Sequence, residues 1–214
     1  MSRWSPVRLA QGIEVISLRR FTTIVASLSV VLFAACGGST DDGGGGGGGG
    51  GGDSDRTAYP AGPYGTSEQS VLANLDFVSP DDMPFEFREL QQDPNNKLLL
   101  LATSAGWCVA CIEEHPALIS RHDSFGAKGL AIMIASFEDK DFNPSDAAYA
   151  AQWKRQYSLP FTVVADPTFK LSAYYDRDLT PMNMFVDMNT MQIIRITTGF
   201  DETVVDAIIN SRLN

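Results

Sequence analysis

The segment "KLLLLATS", Lys97–Ser104, constrains the fold more than any other stretch of this chain. Four leucines and an alanine follow one another with no polar residue between them. Successive side chains of a strand point to opposite faces, so a strand of this composition is buried on both. A sheet with two dry faces needs a covering layer on each side. "GLAIMIASF" (Gly129–Phe137) is a second run of this kind, and "FTVVAD" (Phe161–Asp166) is a shorter third. Helices fill the intervals. One is predicted over about Cys108–His122. Asn143, Pro144 and Asp146 cap another through about Tyr157, on which Tyr149, Trp153 and Tyr157 share a face at i, i+4 spacing. "VLANLDF" and "PFEFREL" alternate apolar and polar residues around "VSPDDM" and predict an N-terminal β-hairpin. "TFKLSAYY" reads as a short helix, "MNMFVDM" with "QIIRITT" as a second hairpin, and Asp201 caps a closing helix, "ETVVDAIINSRL". The expected fold is an α/β sandwich, a mixed central sheet flanked by helices, over residues 64–214.

The chain ahead of residue 64 reads differently. Arg3, Arg8, Arg19 and Arg20 precede "FTTIVASLSVVLFAA" (Phe21–Ala35), which carries no charge. Such a run is short for a bilayer span and suits a signal-peptide core. It ends at "LFAAC", which resembles the lipobox of bacterial lipoproteins, with Phe33 where leucine is usual. That resemblance makes residues 1–35 a signal peptide and Cys36 the lipidated residue. Residues 36–63 follow as a tether that contains ten consecutive glycines. Glycine loses the most entropy on ordering and buries nothing, so this segment is expected to be disordered, with a reach of about 25 Å. Loss of residues 1–35 removes four Arg and one Glu, leaving 12 basic and 25 acidic side chains, a net charge of −13. That sign excludes nucleic acid and anionic headgroups as partners, so membrane attachment rests on the lipid anchor.

With Cys36 assigned to lipid, two cysteines remain, Cys108 and Cys111. A disulfide framework needs several bridges at longer spacing, and a four-cysteine zinc site needs a second pair. In an oxidising envelope an isolated Cys-x-x-Cys reads as redox-active, against the plainer readings of a structural disulfide or inert thiols. A strand ending just before the helix sets Cys108 at the helix N-terminus. Unpaired amides there bring a thiol from about 8.5 into the range of roughly 3.5–7.5. Cys111, one turn inside, is the more buried. Cys108 is then the attacking thiol and Cys111 the resolving one. Glu114 lies at i+3 from Cys111 on the same helix face, where a carboxylate can accept the Cys111 proton or merely be solvated.

"WCVACIEEHP" (Trp107–Pro116) resembles the thioredoxin-superfamily motif, and Glu114 matches its TlpA/ResA-like branch, Trp-Cys-x-x-Cys-x-x-Glu-x-Pro. "TPMNMFVD" (Thr180–Asp187) resembles the cis-proline segment of that branch, and "DPTFKLSAYY" the segment before it. Gly199 falls where the family keeps a glycine after the last strand. The resemblance implies a thioredoxin fold over about Thr66–Leu213 and thiol–disulfide oxidoreductase activity. It makes Cys108, Cys111 and Glu114 catalytic and Trp107, Thr180 and Pro181 substrate-contacting, the backbone beside a cis Pro181 pairing with a substrate strand. It implies no cofactor beyond the redox-active disulfide and no metal. Partners would be substrate protein disulfides and a membrane electron donor, and the location a bacterial envelope, periplasm-facing or extracytoplasmic. Departures from the pattern are informative. Ala102 stands where thioredoxin has a buried Asp, which transfers proton handling to Glu114. Val109–Ala110 holds neither the frequent proline nor the histidine of strongly oxidising members, which favours a reductase.

Other readings attach to other residues. His115 and His122 read as surface residues before ligands, and "EDKD" (Glu138–Asp141) as a solvated loop. Met182, Met184, Met188 and Met191 suggest either soft copper ligation or a hairpin core. A Sco-like copper chaperone uses Cys-x-x-x-Cys and a later histidine, and a peroxiredoxin places Thr or Ser where Ala105 stands. The remaining alternative is a non-catalytic or copper-handling binding protein on the same scaffold.

Overall fold

The computed structural model describes residues 56–214. In chain order these form β1 (Asp76–Val78), β2 (Pro84–Glu86), α1 (Phe87–Gln91), β3 (Leu98–Ala105), α2 (Val109–Glu113), α3 (His115–Phe125), β4 (Leu130–Glu138), α4 (Ala147–Gln156), β5 (Thr162–Ala165), β6 (Met182–Asp187), β7 (Ile193–Thr198) and α5 (Glu202–Leu213). The expected signal peptide, Cys36 and the glycine run lie outside the described residues.

The strands make one mixed sheet in the order β2-β1-β5-β4-β3-β6-β7. β3 and β4 run parallel, as do β4 and β5, while β6 pairs antiparallel with β3 and β7 with β6. Every residue of β3 is buried, as its composition requires. Leu98, Leu100 and Ala102 pack on one face with Leu118 of α3, Trp153 of α4 and Val205 and Ile209 of α5. Leu99 and Leu101 pack on the other with Leu72, Phe77, Phe87 and Leu171. Three helices thus cover one face, and the segment around Leu72, α1 and a 3-10 turn at Lys170–Ala173 cover the other. This is the expected thioredoxin-like sandwich. Met182, Met184, Met188 and Met191 are all buried in the second core, so the hairpin-core reading describes where they lie. Among the described residues no helix is long and apolar enough to cross a membrane.

Four expectations need correction. In "PFEFREL" only Pro84–Glu86 is strand, because Glu86 and Glu89 form a capping box that starts a helix at Phe87. Phe87 thereby turns into the core, 5.0 Å edge-on from Phe77. The helix expected over Cys108–His122 breaks at Glu114, where α2 ends and α3 begins. Pro116 has no N–H for the carbonyl four residues back, so the ladder cannot run through. Asp146 alone caps α4, its side chain accepting the Tyr149 N–H at 2.8 Å. Finally, residues 56–63, expected in the tether, lie on the domain. The Arg56 Nη1 donates to the carbonyls of Gln91, Asp93 and Asn96 at 3.3, 2.8 and 2.6 Å, and its Nη2 to the Asn189 side chain.

Candidate active site

β3 delivers the chain to Gly106, whose N–H donates to the Glu138 carbonyl at 2.9 Å. A Cβ at Gly106 would overlap the Tyr149 hydroxyl and the backbone of Asp139 and Lys140, so only glycine lets the chain pass there. The turn leaves Cys108 as the N-cap of α2, its sulfur accepting the Cys111 N–H at 3.1 Å. Cys108 and Cys111 are joined as a disulfide. Cys108 keeps 4% of its surface and Cys111 none, beside Ala105 and Phe137. On the opposite wall the Thr180 carbonyl lies 3.9 Å from the Cys108 sulfur, and the Thr180–Pro181 bond is cis. The Met182 N–H donates to Thr103 Oγ1 at 2.8 Å and fastens this segment to β3. Cys108, Cys111 and Thr180 of the expected set therefore meet in one place, with Trp107 and Pro181 adjoining them in the chain.

A polar clamp closes the front of the disulfide. Trp107 Nε1–H donates to Glu138 Oε2 at 2.8 Å, and Arg177 pairs with the same oxygen. The Arg177 guanidinium lies 5.6 Å from the centre of the Trp107 ring, a cation–π distance, and Phe142 stacks on that ring at 5.7 Å. Glu138 is thus no solvated loop residue. It ends β4, and its carboxylate joins the cysteine turn to the segment that leads into Pro181. Three apolar side chains stay exposed around this front, Val109, Phe142 and Leu179.

Behind the disulfide, at the α2–α3 break, Glu114 is buried and accepts Asn183 Nδ2 at 3.0 Å. Burial raises its pKa to about 8 and the Asn183 hydrogen bond opposes that rise. Its neighbour His115, expected at the surface, is 3% exposed. That ring packs 4.7 Å from Tyr157 and 5.6 Å from Trp153, neither nitrogen has a hydrogen-bond partner, and burial lowers its pKa to about 4. Among the described residues, no three His, Cys, Asp or Glu side chains are grouped to hold a metal.

Sequence reasoning did not single out Glu138, Arg177 or Asn183 for this site. Parallel pairing of the two apolar runs sets Glu138 opposite Ala105, so alignment of those runs offered a signal for it. Asn183, a lone amide in an apolar strand, offered another. Arg177 lies in a stretch without periodicity and offered none.

The sequence profile of the AhpC/TSA family matches residues 75–202, from the first hairpin to the start of α5. The chain belongs to the AhpC/TSA family. No curated protein sequence matches it. Solved structures of similar fold include a thiol:disulfide interchange protein DsbE from Chlorobium tepidum, at 16% identity and TM-score 0.57, covering 69% of this chain and 99% of that one. The thioredoxin domain of a thiol–disulfide oxidoreductase from Bacteroides vulgatus shares 17% identity at TM-score 0.53, over 67% and 99% of the two chains. An exposed lipoprotein thioredoxin of Streptococcus pneumoniae shares 18% at TM-score 0.52, over 65% and 99%. These likenesses establish the thioredoxin-like fold, and the family is that of the redoxins.

Proposed function

We propose that the working group of this thiol–disulfide oxidoreductase is the Cys108–Cys111 pair, and that it reduces disulfides of proteins in a bacterial envelope. The observation that carries this reading is the position of Cys108, an N-cap sulfur bonded to an α2 amide and facing the Thr180 carbonyl. In the reduced enzyme the Cys108 thiolate attacks a substrate disulfide. One substrate sulfur leaves as a thiolate, and a mixed disulfide joins enzyme to substrate. Cys111 gives its proton to Glu114 and attacks the Cys108 sulfur. The second substrate thiolate is expelled and takes a proton, and the enzyme is left oxidised. A membrane electron donor then returns two electrons. Trp107 and the Thr180–Pro181 backbone border the substrate's path, and no cofactor beyond the disulfide takes part.

The lipobox-like "LFAAC" supports a lipid anchor at Cys36, and a lipoprotein thioredoxin of similar fold supports the same location. Cys111→Ser tests the mechanism, because it removes the resolving thiol and keeps the attacking one. Expressed in cells, this variant is expected to hold envelope proteins through Cys108 in adducts that a reductant releases. The double variant Cys108→Ser, Cys111→Ser should hold none. Equal capture by both would reject the dithiol mechanism and leave a non-catalytic binding protein.

A further inference from the structure

Asn183 belongs to the core of β6, with no exposed surface, yet it carries an amide. Its Nδ2 donates twice, to Glu114 Oε2 at 3.0 Å and to the Gly199 carbonyl at 3.2 Å, while its Oδ1 meets no donor. Gly199 is itself fixed, its N–H donating to the Pro181 carbonyl at 2.8 Å. A backbone carbonyl can only accept, so Gly199 pins the amide with its N–H groups forward. The flipped amide would set an oxygen against two acceptors. Asn183 therefore presents a donor to Glu114 whatever the carboxyl's protonation state, and a donor there favours the ionised form.

We propose that Asn183, oriented by Gly199, is the positioning residue that aims the Glu114 carboxyl and keeps it able to accept the Cys111 proton. The inference rests on the general-base reading of Glu114. Burial disfavours the ionised carboxylate, the form that accepts a proton, and Asn183 is the group whose hydrogen bond opposes burial. Charged groups on the surrounding elements are engaged elsewhere. Arg121 of α3 binds Glu202 and Asp206 of α5 at 3.0 Å each, Arg195 of β7 pairs with Glu68 at 3.5 Å, and Asp187 of β6 with Arg212 at 3.8 Å. On the break itself Glu113 is exposed, and the His115 ring packs on α4.

The test is the pH dependence of mixed-disulfide release, measured by rapid quench in Asn183→Val and Asn183→Thr, two side chains alike in shape. Valine donates nothing. Its midpoint should rise by about one to two pH units, the strength of a hydrogen bond to a charged group. Release at pH 7 should fall about tenfold or more and meet the wild-type rate at high pH. Threonine, whose hydroxyl donates, should recover most of that shift. An unmoved midpoint in the valine variant, or equal shifts in both, overturns the inference. If Asn183→Val does not fold, carbon NMR titration of the Glu114 carboxyl in Asn183→Ala, which also lacks a donor, decides. A midpoint above wild type is expected, and an unmoved or lowered one overturns the assignment. Glu114→Gln separates the two levels: if it keeps the wild-type midpoint, the base reading itself fails. If the midpoint vanishes there but stays fixed in Asn183→Val, only the role of Asn183 fails.

Discussion

Two ionisable residues stand side by side at the α2–α3 break and meet opposite surroundings. Glu114 turns towards β6, where an amide donates to it. His115 turns towards α4, where it finds only the rings of Trp153 and Tyr157. Burial pushes both towards neutrality, which raises the acid to about 8 and lowers the base to about 4. The size of a shift therefore does not distinguish a chemical role from a packing role. A partner that favours the charged form does, because a group must exchange its proton to act. Glu114 has such a partner one helical turn from the disulfide sulfur of Cys111, and His115 does not.

The largest test of this contrast is kinetic. Glu114→Gln keeps the shape and removes the base. Initial attack by Cys108 should change little, while release of the mixed disulfide slows by on the order of 10²-fold. The defect should shrink as pH rises and Cys111 ionises unaided. Equal slowing of both steps would make Glu114 as structural as its neighbour.

Next in size is the stability of the oxidised protein against pH. The folded Glu114 pKa lies above its unfolded value of 4.5, so the folded state holds the extra proton between about 4.5 and 8 and stability falls as pH rises through that window. His115 acts in the reverse sense. Its folded pKa, about 4, lies below 6.5, so its contribution is lost as pH falls from 6.5 towards 4. The two slopes oppose each other below 6.5, and above it Glu114 acts without that opposition. Chemical denaturation should show stability falling between pH 6.5 and 8 by up to about 1.4 kcal/mol per unit, and Glu114→Gln should flatten that limb. A wild-type limb already flat would mean that Glu114 ionises freely in the folded state.

The smallest effect is expected at His115→Phe. The ring stays and two unpartnered nitrogens go, so the protein should gain about 1 kcal/mol near pH 7 and lose its acid-side dependence. Release of the mixed disulfide should be unchanged. Slowing comparable to that of Glu114→Gln would give His115 a share in the chemistry and erase the contrast.

The same contrast separates what the sequence made legible from what it did not. "KLLLLATS" and "GLAIMIASF" stated their own burial, since strands without alternation have one environment open to them. Cys108, Cys111, Glu114 and Pro181 were visible through a motif of fixed spacing. His115 was not, because a histidine at one helix position reads alike whether the neighbouring helix covers it or leaves it bare. The Glu86–Glu89 capping box lay hidden under an alternating pattern that suits a strand equally well. Glu138 and Arg177 are 39 residues apart in sequence and form a pair only through a sheet pairing and a 3-10 turn. Asn183 likewise acquires meaning only when the Gly199 turn folds over it.

Arg56 carries a mechanical consequence. It grips the carbonyls of Gln91, Asp93 and Asn96 and the Asn189 side chain, just before β3 begins and just after β6 ends. The disulfide sits past the other end of β3, about 26 Å away for eight residues of strand. Tension on the chain ahead of residue 56 is therefore taken up at this anchor, at the end of the sheet where β3 begins and β6 ends. The disulfide lies beyond the opposite end of β3, so pulling on the N-terminal side would leave the sulfur geometry undisturbed until the anchor itself gives way.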